Sequence, residues 1–190
     1  MKTKKRFQIE NKNFKVFITK KKIKSKVLEI AERINTDYHG KTVVFVVIVR
    51  GALFYAVDLI RKINLDCEIE IISAKSYGNS MESSGDVELY LSNTDFTGKH
   101  LILIEDIVDT GITLKALSNK LLQFNPASLE ISALLSKPAN KKININAKYV
   151  GIEIPSDFVI GYGLDFAGKG RHLQDIYVID HHHSDQFDEI

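Results

Sequence analysis

Short apolar runs alternate along the chain with longer segments in which apolar residues recur every third or fourth position. Residues 43–49 are almost all β-branched, which is typical of a parallel strand buried on both faces. Other apolar runs predict strands at 16–18, 67–74, 101–104, 128–135, 149–152 and 176–179. The alternation of Val87, Leu89 and Leu91 predicts one more strand.

Between these runs, apolar residues recur at the spacing of a helix. Thr19 is a suitable N-cap for a helix ending near residues 39–40, and its predicted inner face comprises Ile23, Val27, Ile30, Ala31 and Ile34. A second helix is predicted over 53–63, with one side formed by Leu53, Ala56, Val57 and Ile60. A third is predicted over 113–124, with an inner face of Leu114, Leu117, Leu121 and Leu122.

This alternation of strands and helices predicts an α/β fold with a mostly parallel central sheet flanked by helices. We expect a single domain spanning residues 1–190, with a basic N-terminal arm at 1–13 and a polar tail at 181–190. Residues 75–86 contain two Gly, four Ser and few apolar side chains, which predicts a mobile loop.

Composition narrows the class of protein. The chain is 44% hydrophobic and 26% charged, which fits a globular protein and argues against a disordered one. No apolar run approaches the about 20 residues of a membrane helix, so we expect no membrane partner. The single cysteine, Cys67, excludes an internal disulfide framework and an all-cysteine metal site. These features together favour the cytoplasm.

The charge is unevenly distributed. Residues 1–26 hold eleven Lys and Arg and a single acid, Glu10, although the net charge of the whole chain is only +2. Such a segment could contact nucleic acid, but it contains no recognised reading motif. We therefore expect a solvated, partly frayed arm and no nucleic-acid partner.

The strongest chemical signal is the string LILIEDIVDTGIT at 101–113. It predicts a strand that ends in Glu105 and Asp106, then a turn with Asp109 and Gly111, then a helix. In open parallel sheets ligands bind beyond the carboxyl ends of the strands. Amides at a helix N-terminus bind phosphate, and carboxylates accept hydrogen bonds from sugar hydroxyls. This combination predicts a site for a phosphorylated ribose. The alternative, an acidic turn whose side chains only contact solvent, explains it less well.

This string resembles the phosphoribosyl-pyrophosphate loop of the type I phosphoribosyltransferases. Other segments make the chain similar to the hypoxanthine-guanine phosphoribosyltransferases in particular: VRGA at 49–52, SYG at 76–78, SSG at 83–85, SKP at 136–138 and FVIGYGLDFAGKGR at 158–171. The resemblance runs from about Val16 to Asp180, in the order of the family. It implies the type I fold, with a small hood region beside the central sheet and a mobile loop over the site.

The resemblance also implies a reaction and a set of sugar-binding residues. In this family a purine displaces pyrophosphate from phosphoribosyl pyrophosphate, with Mg²⁺ as cofactor. The implied phosphoribosyl-binding residues are Glu105, Asp106, Asp109, Thr110, Gly111, Ile112 and Thr113, with Asp109 also the catalytic base beside a ring nitrogen of the purine. The implied metal ligands are Glu105, Asp106 and Asp165.

Two further groups follow from the same resemblance. Pyrophosphate binding is implied for Arg50, Gly51, Ser76, Tyr77 and Arg171, with a non-proline cis peptide at Val49–Arg50. Purine binding is implied for Lys137, Phe158, Val159 and Asp165. Many family members carry Lys where this chain has Arg50, which keeps the charge and changes the donor geometry.

Three interpretations remain open at this point. The first is salvage of hypoxanthine or guanine to IMP or GMP, by a homo-oligomer (a dimer or a tetramer, as in relatives). The second keeps the reaction with another base, such as xanthine, adenine or orotate; Lys137, which only donates hydrogen bonds, disfavours adenine. The third is a non-catalytic sensor of phosphoribosyl pyrophosphate that binds nucleic acid through residues 1–26.

Overall fold

A computed structural model describes residues 6–76, 87–89 and 94–180, with backbone alone at 74–76 and 87–89. In chain order the elements are β1 (Arg6–Ile9), β2 (Lys12–Ile18), α1 (Lys20–Asp37), β3 (Val43–Val49), α2 (Leu53–Ile60), β4 (Cys67–Ser76), β5 (Val87–Leu89), β6 (His100–Val108), α3 (Ile112–Leu122), β7 (Ser128–Ser136), β8 (Tyr149–Glu153), β9 (Val159–Ile160) and β10 (Ile176–Ile179). A 3₁₀ turn follows β7 at Pro138–Asn140.

The central sheet has the strand order β5-β4-β3-β6-β7-β8. Five of these strands are parallel, and β5 pairs antiparallel with β4 at one edge. The β3 side chains are buried on both faces of the sheet, except for the half-buried Val49. The predicted α/β fold with a mostly parallel sheet is therefore confirmed, because helices cover both faces of its central strands.

Helices α1 and α2 cover one face, and α3 covers the other. Helix α1 begins after Thr19, whose side chain accepts a hydrogen bond from the Lys22 amide, and it buries the five predicted residues. In α2 the predicted side was wrong for Leu53 and Val57, which are exposed, whereas Ala56 is buried and Ile60 packs against the core as predicted. Tyr55 and Leu59 are the other buried residues of this helix. In α3 the predicted leucines are buried, except Leu122, which is exposed on the last turn.

A second sheet, which we call the hood, has the order β1-β2-β10-β9 and is antiparallel. Phe7 and Phe14 stack with ring centroids 5.6 Å apart, and Tyr177 meets Phe7 edge-on at 4.6 Å. The expectation of a frayed arm at 1–13 was therefore wrong from Arg6 onward, because β1 and β2 pair and bury these rings. The strand predicted at 16–18 is only the end of β2, and β10 belongs to the hood.

Two other predictions concern the loop and the tail. Residues 77–86, which include Tyr77, and residues 181–190 lie outside the described part of the chain. Lys75 and Ser76 belong to β4 and pair antiparallel with β5, so the predicted loop was wrong for these two residues. No helix in the described ranges combines the length and the apolar character that crossing a membrane requires.

Candidate active site

The string at 101–113 forms a strand, a tight turn and a helix, and we call the turn at 109–113 the phosphate turn. Strand β6 continues through Glu105 and Asp106 to Val108, so the two acids lie within the strand and not at its end as predicted. Gly111 has a φ of 83° and precedes α3. A Cβ at this position would lie 2.8 Å from the Ile145 side chain. Only glycine therefore fits the turn that presents the first amides of α3.

A cavity of about 270 Å³ opens at this turn. Its lining brings together several of the predicted sugar-binding residues: Glu105, Asp109, Thr110, Gly111 and Thr113, with Ile48, Ile107 and Leu114 as apolar walls. The lining combines the hydroxyls of Thr110 and Thr113 with the carboxylates of Glu105 and Asp109. This combination suits a molecule that carries both a phosphate and hydroxyl groups.

Glu105 and Asp106 form a buried acidic pair. Burial raises the pKa of both carboxyls, and the adjacent Asp106 charge raises the pKa of Glu105 further. The backbone amide of Asp106 donates to Glu105 Oε1 at 3.1 Å. Two carboxylates held out of water in this way favour a positive charge beside them, such as a cation or a developing oxocarbenium ion.

The loop after β3 packs directly on this pair. The peptide bond between Val49 and Arg50 is cis, as the resemblance implied. A Cβ on Gly51 would lie 1.7 Å from Asp106 Oδ2, so the Gly51 backbone contacts that carboxyl. A Cβ on Gly163 would in turn lie 2.0 Å from the Gly51 carbonyl oxygen. Three chain segments distant in sequence thus meet at backbone contact, and glycine makes that approach possible.

Asp165 and Arg171 close this side of the site. An Arg171 nitrogen lies 2.7 Å from Asp165 Oδ1, and another donates to the Gly163 carbonyl oxygen at 2.6 Å. Asp165 also accepts a hydrogen bond from the Gly168 amide at 2.8 Å. The positive charge of Arg171 lowers the pKa of Asp106, against the larger effect of burial. The predicted Asp165 and Arg171 are therefore near the acidic pair.

Lys137 and Asp109 are in direct contact. Lys137 Nζ lies 3.2 Å from Asp109 Oδ2, and the Lys137 side chain is 9% exposed whereas that of Asp109 is 43% exposed. The burial of Lys137 excludes the alternative of an ordinary solvated loop lysine. A cationic donor and a carboxylate acceptor thus lie side by side at the mouth of the phosphate turn.

Two residues in this region had not been predicted. Asn140 Nδ2 donates to Asp109 Oδ1 at 2.8 Å, and Ser156 Oγ donates to Asn140 Oδ1 at 2.5 Å. Neither residue stands out in the sequence, because both are small polar side chains in loops. Their contacts arise only when the segment after β7 folds back over the phosphate turn.

Phe158 presents its ring at the surface beside these residues. Its side chain is exposed, and it meets the Phe166 ring edge-on with centroids 5.8 Å apart. Phe166 lies 6.2 Å from the Phe14 ring of the hood. Val159, the next residue, is buried in β9. An exposed ring supported from behind is suited to stacking on a flat heterocycle.

The candidate metal ligands are the three acids Glu105, Asp106 and Asp165. Among the described residues, no group of three or more His, Cys, Asp or Glu is arranged to hold a metal ion by itself. Mg²⁺ commonly binds through one or two carboxylates together with substrate phosphates, so a cage made only of protein groups is not required. The buried acidic pair and Asp165 fit that mode by their chemistry.

Comparison with known proteins identifies the family. A family model described as a phosphoribosyl transferase domain matches residues 18–167. The chain belongs to the phosphoribosyltransferase family. It is 34% identical over 175 residues to a hypoxanthine-guanine phosphoribosyltransferase of Aquifex aeolicus, covering 91% of this chain and 98% of the relative. It is 35% identical to the hypoxanthine phosphoribosyltransferase of Escherichia coli K12, covering 83% and 90% of the two chains.

Solved structures of other phosphoribosyltransferases agree with this assignment. A hypoxanthine-guanine phosphoribosyltransferase of Bacillus anthracis has a TM-score of 0.83 and 37% identity, with coverage of 91% of this chain and 100% of that one. A hypoxanthine phosphoribosyltransferase of Staphylococcus aureus has a TM-score of 0.84 and 37% identity, with coverage of 87% and 91%. The resemblance that the sequence motifs indicated is confirmed.

Proposed function

We propose that this phosphoribosyltransferase acts in purine salvage. It transfers the 5-phosphoribosyl group of phosphoribosyl pyrophosphate to hypoxanthine or guanine, which gives IMP or GMP and pyrophosphate. The observation that carries the proposal is the contact between Lys137 and Asp109. A 6-oxopurine presents a carbonyl oxygen next to a ring N–H, and a donor beside an acceptor complements that edge. The 6-amino group of adenine mismatches the lysine.

Each step of the transfer has a matching group. Nitrogen N9 of the purine attacks the anomeric carbon of the ribose as the bond to pyrophosphate breaks, and the proton on N7 passes to the Asp109 carboxylate. The sugar passes through a state with oxocarbenium character, which the Glu105 and Asp106 carboxylates stabilise. The products are the nucleotide and pyrophosphate, and Asp109 returns its proton to solvent.

The phosphate turn holds the sugar phosphate throughout. The amides and hydroxyls of residues 110–113, at the start of α3, bind the 5′-phosphate. Glu105 and Asp106 accept hydrogen bonds from the ribose hydroxyls. Because these groups are fixed by a strand and a helix, the anomeric carbon is held in one place while the base approaches.

The departing pyrophosphate requires positive charge and donors. The groups we assign to it are Arg50 with the Gly51 amide, Arg171, Ser76 at the end of β4, and Tyr77. Glu105, Asp106 and Asp165 would hold Mg²⁺, which would supply positive charge that stabilises the leaving group. Arg171 provides a planar fork suited to two phosphate oxygens.

The base-binding side completes the assignment. Phe158 stacks on the purine, and the main-chain groups of Val159 and Asp165 surround its 2-position.

The nucleic-acid-binding sensor loses its support, because residues 6–26 contribute to the hood and to α1 and do not form a free arm. We also infer a homo-oligomer, a dimer or tetramer, since α2 exposes the apolar side chains of Leu53, Phe54 and Val57. The location that we propose is the cytoplasm, on the sequence features given above.

The test is a base-specificity assay. Purified protein is incubated with phosphoribosyl pyrophosphate, Mg²⁺ and one base at a time: hypoxanthine, guanine, xanthine, adenine or orotate. We expect IMP or GMP with stoichiometric pyrophosphate, and little product from adenine. Omitting Mg²⁺ should abolish turnover. If neither hypoxanthine nor guanine yields a nucleotide, the proposed function is wrong, and a preference for xanthine would change only the base.

A further inference from the structure

Asn140 occupies a defined place beside the proposed base. It ends the 3₁₀ turn that follows Lys137, and its amide nitrogen donates to Asp109 Oδ1 at 2.8 Å. The other oxygen of Asp109 faces Lys137 Nζ at 3.2 Å. Each carboxylate oxygen of Asp109 therefore has a separate donor, and the two donors come from the same turn.

The orientation of the Asn140 amide is itself fixed. Its carbonyl oxygen accepts a hydrogen bond from Ser156 Oγ, so the amide nitrogen is the group that faces Asp109. The 3₁₀ turn that contains Asn140 is hydrogen-bonded to the segment at 108–110 on both sides of Asn140. The Lys137 amide donates to the Val108 carbonyl at 2.9 Å, and the Lys142 amide donates to the Thr110 carbonyl at 3.0 Å. The backbone thus holds Asn140 at hydrogen-bonding distance from Asp109.

The two donors differ in what happens when a purine binds. The Lys137 ammonium has three N–H donors, so it can donate to the 6-oxo group while it remains beside Asp109 Oδ2, but the carboxylate then shares that donor with the base. The side chain of Asp109 is 43% exposed, so a shared donor leaves it room to rotate away from the purine N–H. Asn140 has no assigned partner on the base, so its amide nitrogen stays available to Asp109 Oδ1.

We propose that Asn140 is a positioning residue for the phosphoribosyl transfer. It holds Oδ1 of Asp109 so that Oδ2, the oxygen beside Lys137 Nζ, faces the proton of the base, and Ser156 keeps the Asn140 amide in the required orientation. This inference rests on the proposed function, since it assumes that Asp109 is the proton acceptor. Misplacing a catalytic group by about 1 Å can cost on the order of 100-fold in rate, so such a restraint has a measurable effect.

The test compares three variants by steady-state kinetics with hypoxanthine and phosphoribosyl pyrophosphate. Asn140→Ala removes the donor and should lower kcat about tenfold, with little change in the KM for phosphoribosyl pyrophosphate. Asn140→Asp keeps the size of the side chain but places a like charge against Asp109, so it should lower kcat further, by about 100-fold. Asn144→Ala is the matched control, because Asn144 is an exposed asparagine of the same segment, and it should behave as wild type.

The order of the variants separates positioning from packing. If Asn140 only filled space, Asn140→Asp would be the milder change of the two. The inference would be overturned if either Asn140→Ala or Asn140→Asp kept the kcat of the wild type. It would also be overturned if the variants changed only the KM for phosphoribosyl pyrophosphate. A wild-type protein that makes no nucleotide would instead overturn the proposed function itself, and this inference with it.

Discussion

The phosphate turn and the hood are built in opposite ways. The phosphate turn comes from one continuous segment, in which β6, Gly111 and the start of α3 follow one another along the chain. The hood joins β1 and β2 to β9 and β10, which lie more than a hundred residues away. Backbone groups dominate the first region, whereas packed aromatic side chains dominate the second. We therefore expect sugar-phosphate binding to depend on one local segment, and base binding to depend on tertiary packing.

This difference has a functional consequence. Damage to the phosphate turn should impair every substrate combination, since all of them contain the phosphoribosyl group. Damage to the hood, or to the residues it supports, should act mainly on the purine. Asp109 belongs to the phosphate turn and contacts Lys137, which follows β7 and is assigned to the purine, so it links the sugar phosphate to the base.

The largest effect should come from Asp109→Asn. It removes the proton acceptor with almost no change of shape, so we expect kcat to fall by about 10²–10⁴-fold while the fold and the KM for phosphoribosyl pyrophosphate are retained. Steady-state kinetics and circular dichroism measure the two quantities. Asp95→Asn is the control, because Asp95 is exposed and precedes the far end of β6. Turnover near that of wild type in Asp109→Asn would contradict the assigned base.

Lys137→Ala should act on the base side alone. Loss of a charged donor should lower kcat/KM for hypoxanthine and guanine by about 10–100-fold, and adenine should lose much less. Lys142→Ala is the matched control, since the Lys142 contact to the phosphate turn is made by its backbone amide. An equal loss with all bases would show that Lys137 does not read the 6-position.

Phe7→Ala tests the hood at a distance from the chemistry. Phe7 is fully buried, and its removal should cost about 3–5 kcal/mol of unfolding free energy. Through Phe14 and Phe166, the change should weaken the support of Phe158 and raise the KM for the purine several-fold more than that for phosphoribosyl pyrophosphate. Phe7→Leu is a milder variant for the same comparison. Equal changes in both KM values would contradict the separation of the two regions.

The smallest effect should be a gain in stability on the phosphate side. Burial raises the pKa of Glu105 and Asp106, so folding disfavours their ionised forms. Their unfolded pKa values lie near about 4. Above that pH the unfolded chain releases these two protons more readily than the folded protein does. The free energy of unfolding therefore falls as pH rises, until pH exceeds the raised pKa values of the folded state.

Glu105→Gln removes one of these charges. The ligand-free variant should gain about 1 kcal/mol at pH 8, or roughly 2–4 °C in Tm, and less at pH 5. Thermal unfolding of the variant and wild type at both pH values measures this gain, with the exposed Glu153→Gln as control. If the difference in Tm between Glu105→Gln and wild type does not increase from pH 5 to pH 8, the ionised acidic pair does not destabilise the fold.

The same contrast explains what the sequence could predict. Residues 43–49 predict a buried parallel strand because nearly every side chain is apolar and β-branched. The phosphate turn was recognisable because its chemistry lies in adjacent residues. The ends of β6 and of the loop at 75–86 were misjudged, because acids and serines in a strand resemble the start of a loop.

The errors lie where tertiary contacts decide the outcome. In β1 and β2 apolar and polar residues are mixed, and their partner β10 is far away along the chain, so no local pattern indicated a sheet. Helix α2 is apolar on almost every side, so its sequence alone did not show which face packs on the core. Asn140 was missed for a related reason, since only the folded turn brings it to Asp109.

The most direct test of the account is a crystal structure of the protein with IMP bound. The account predicts the 5′-phosphate on the amides of residues 110–113, the ribose hydroxyls beside Glu105 and Asp106, and the 6-oxo group at Lys137 Nζ with Phe158 stacked on the ring. A nucleotide found elsewhere on the protein, with the turn at 109–113 making no contact to phosphate, would contradict it.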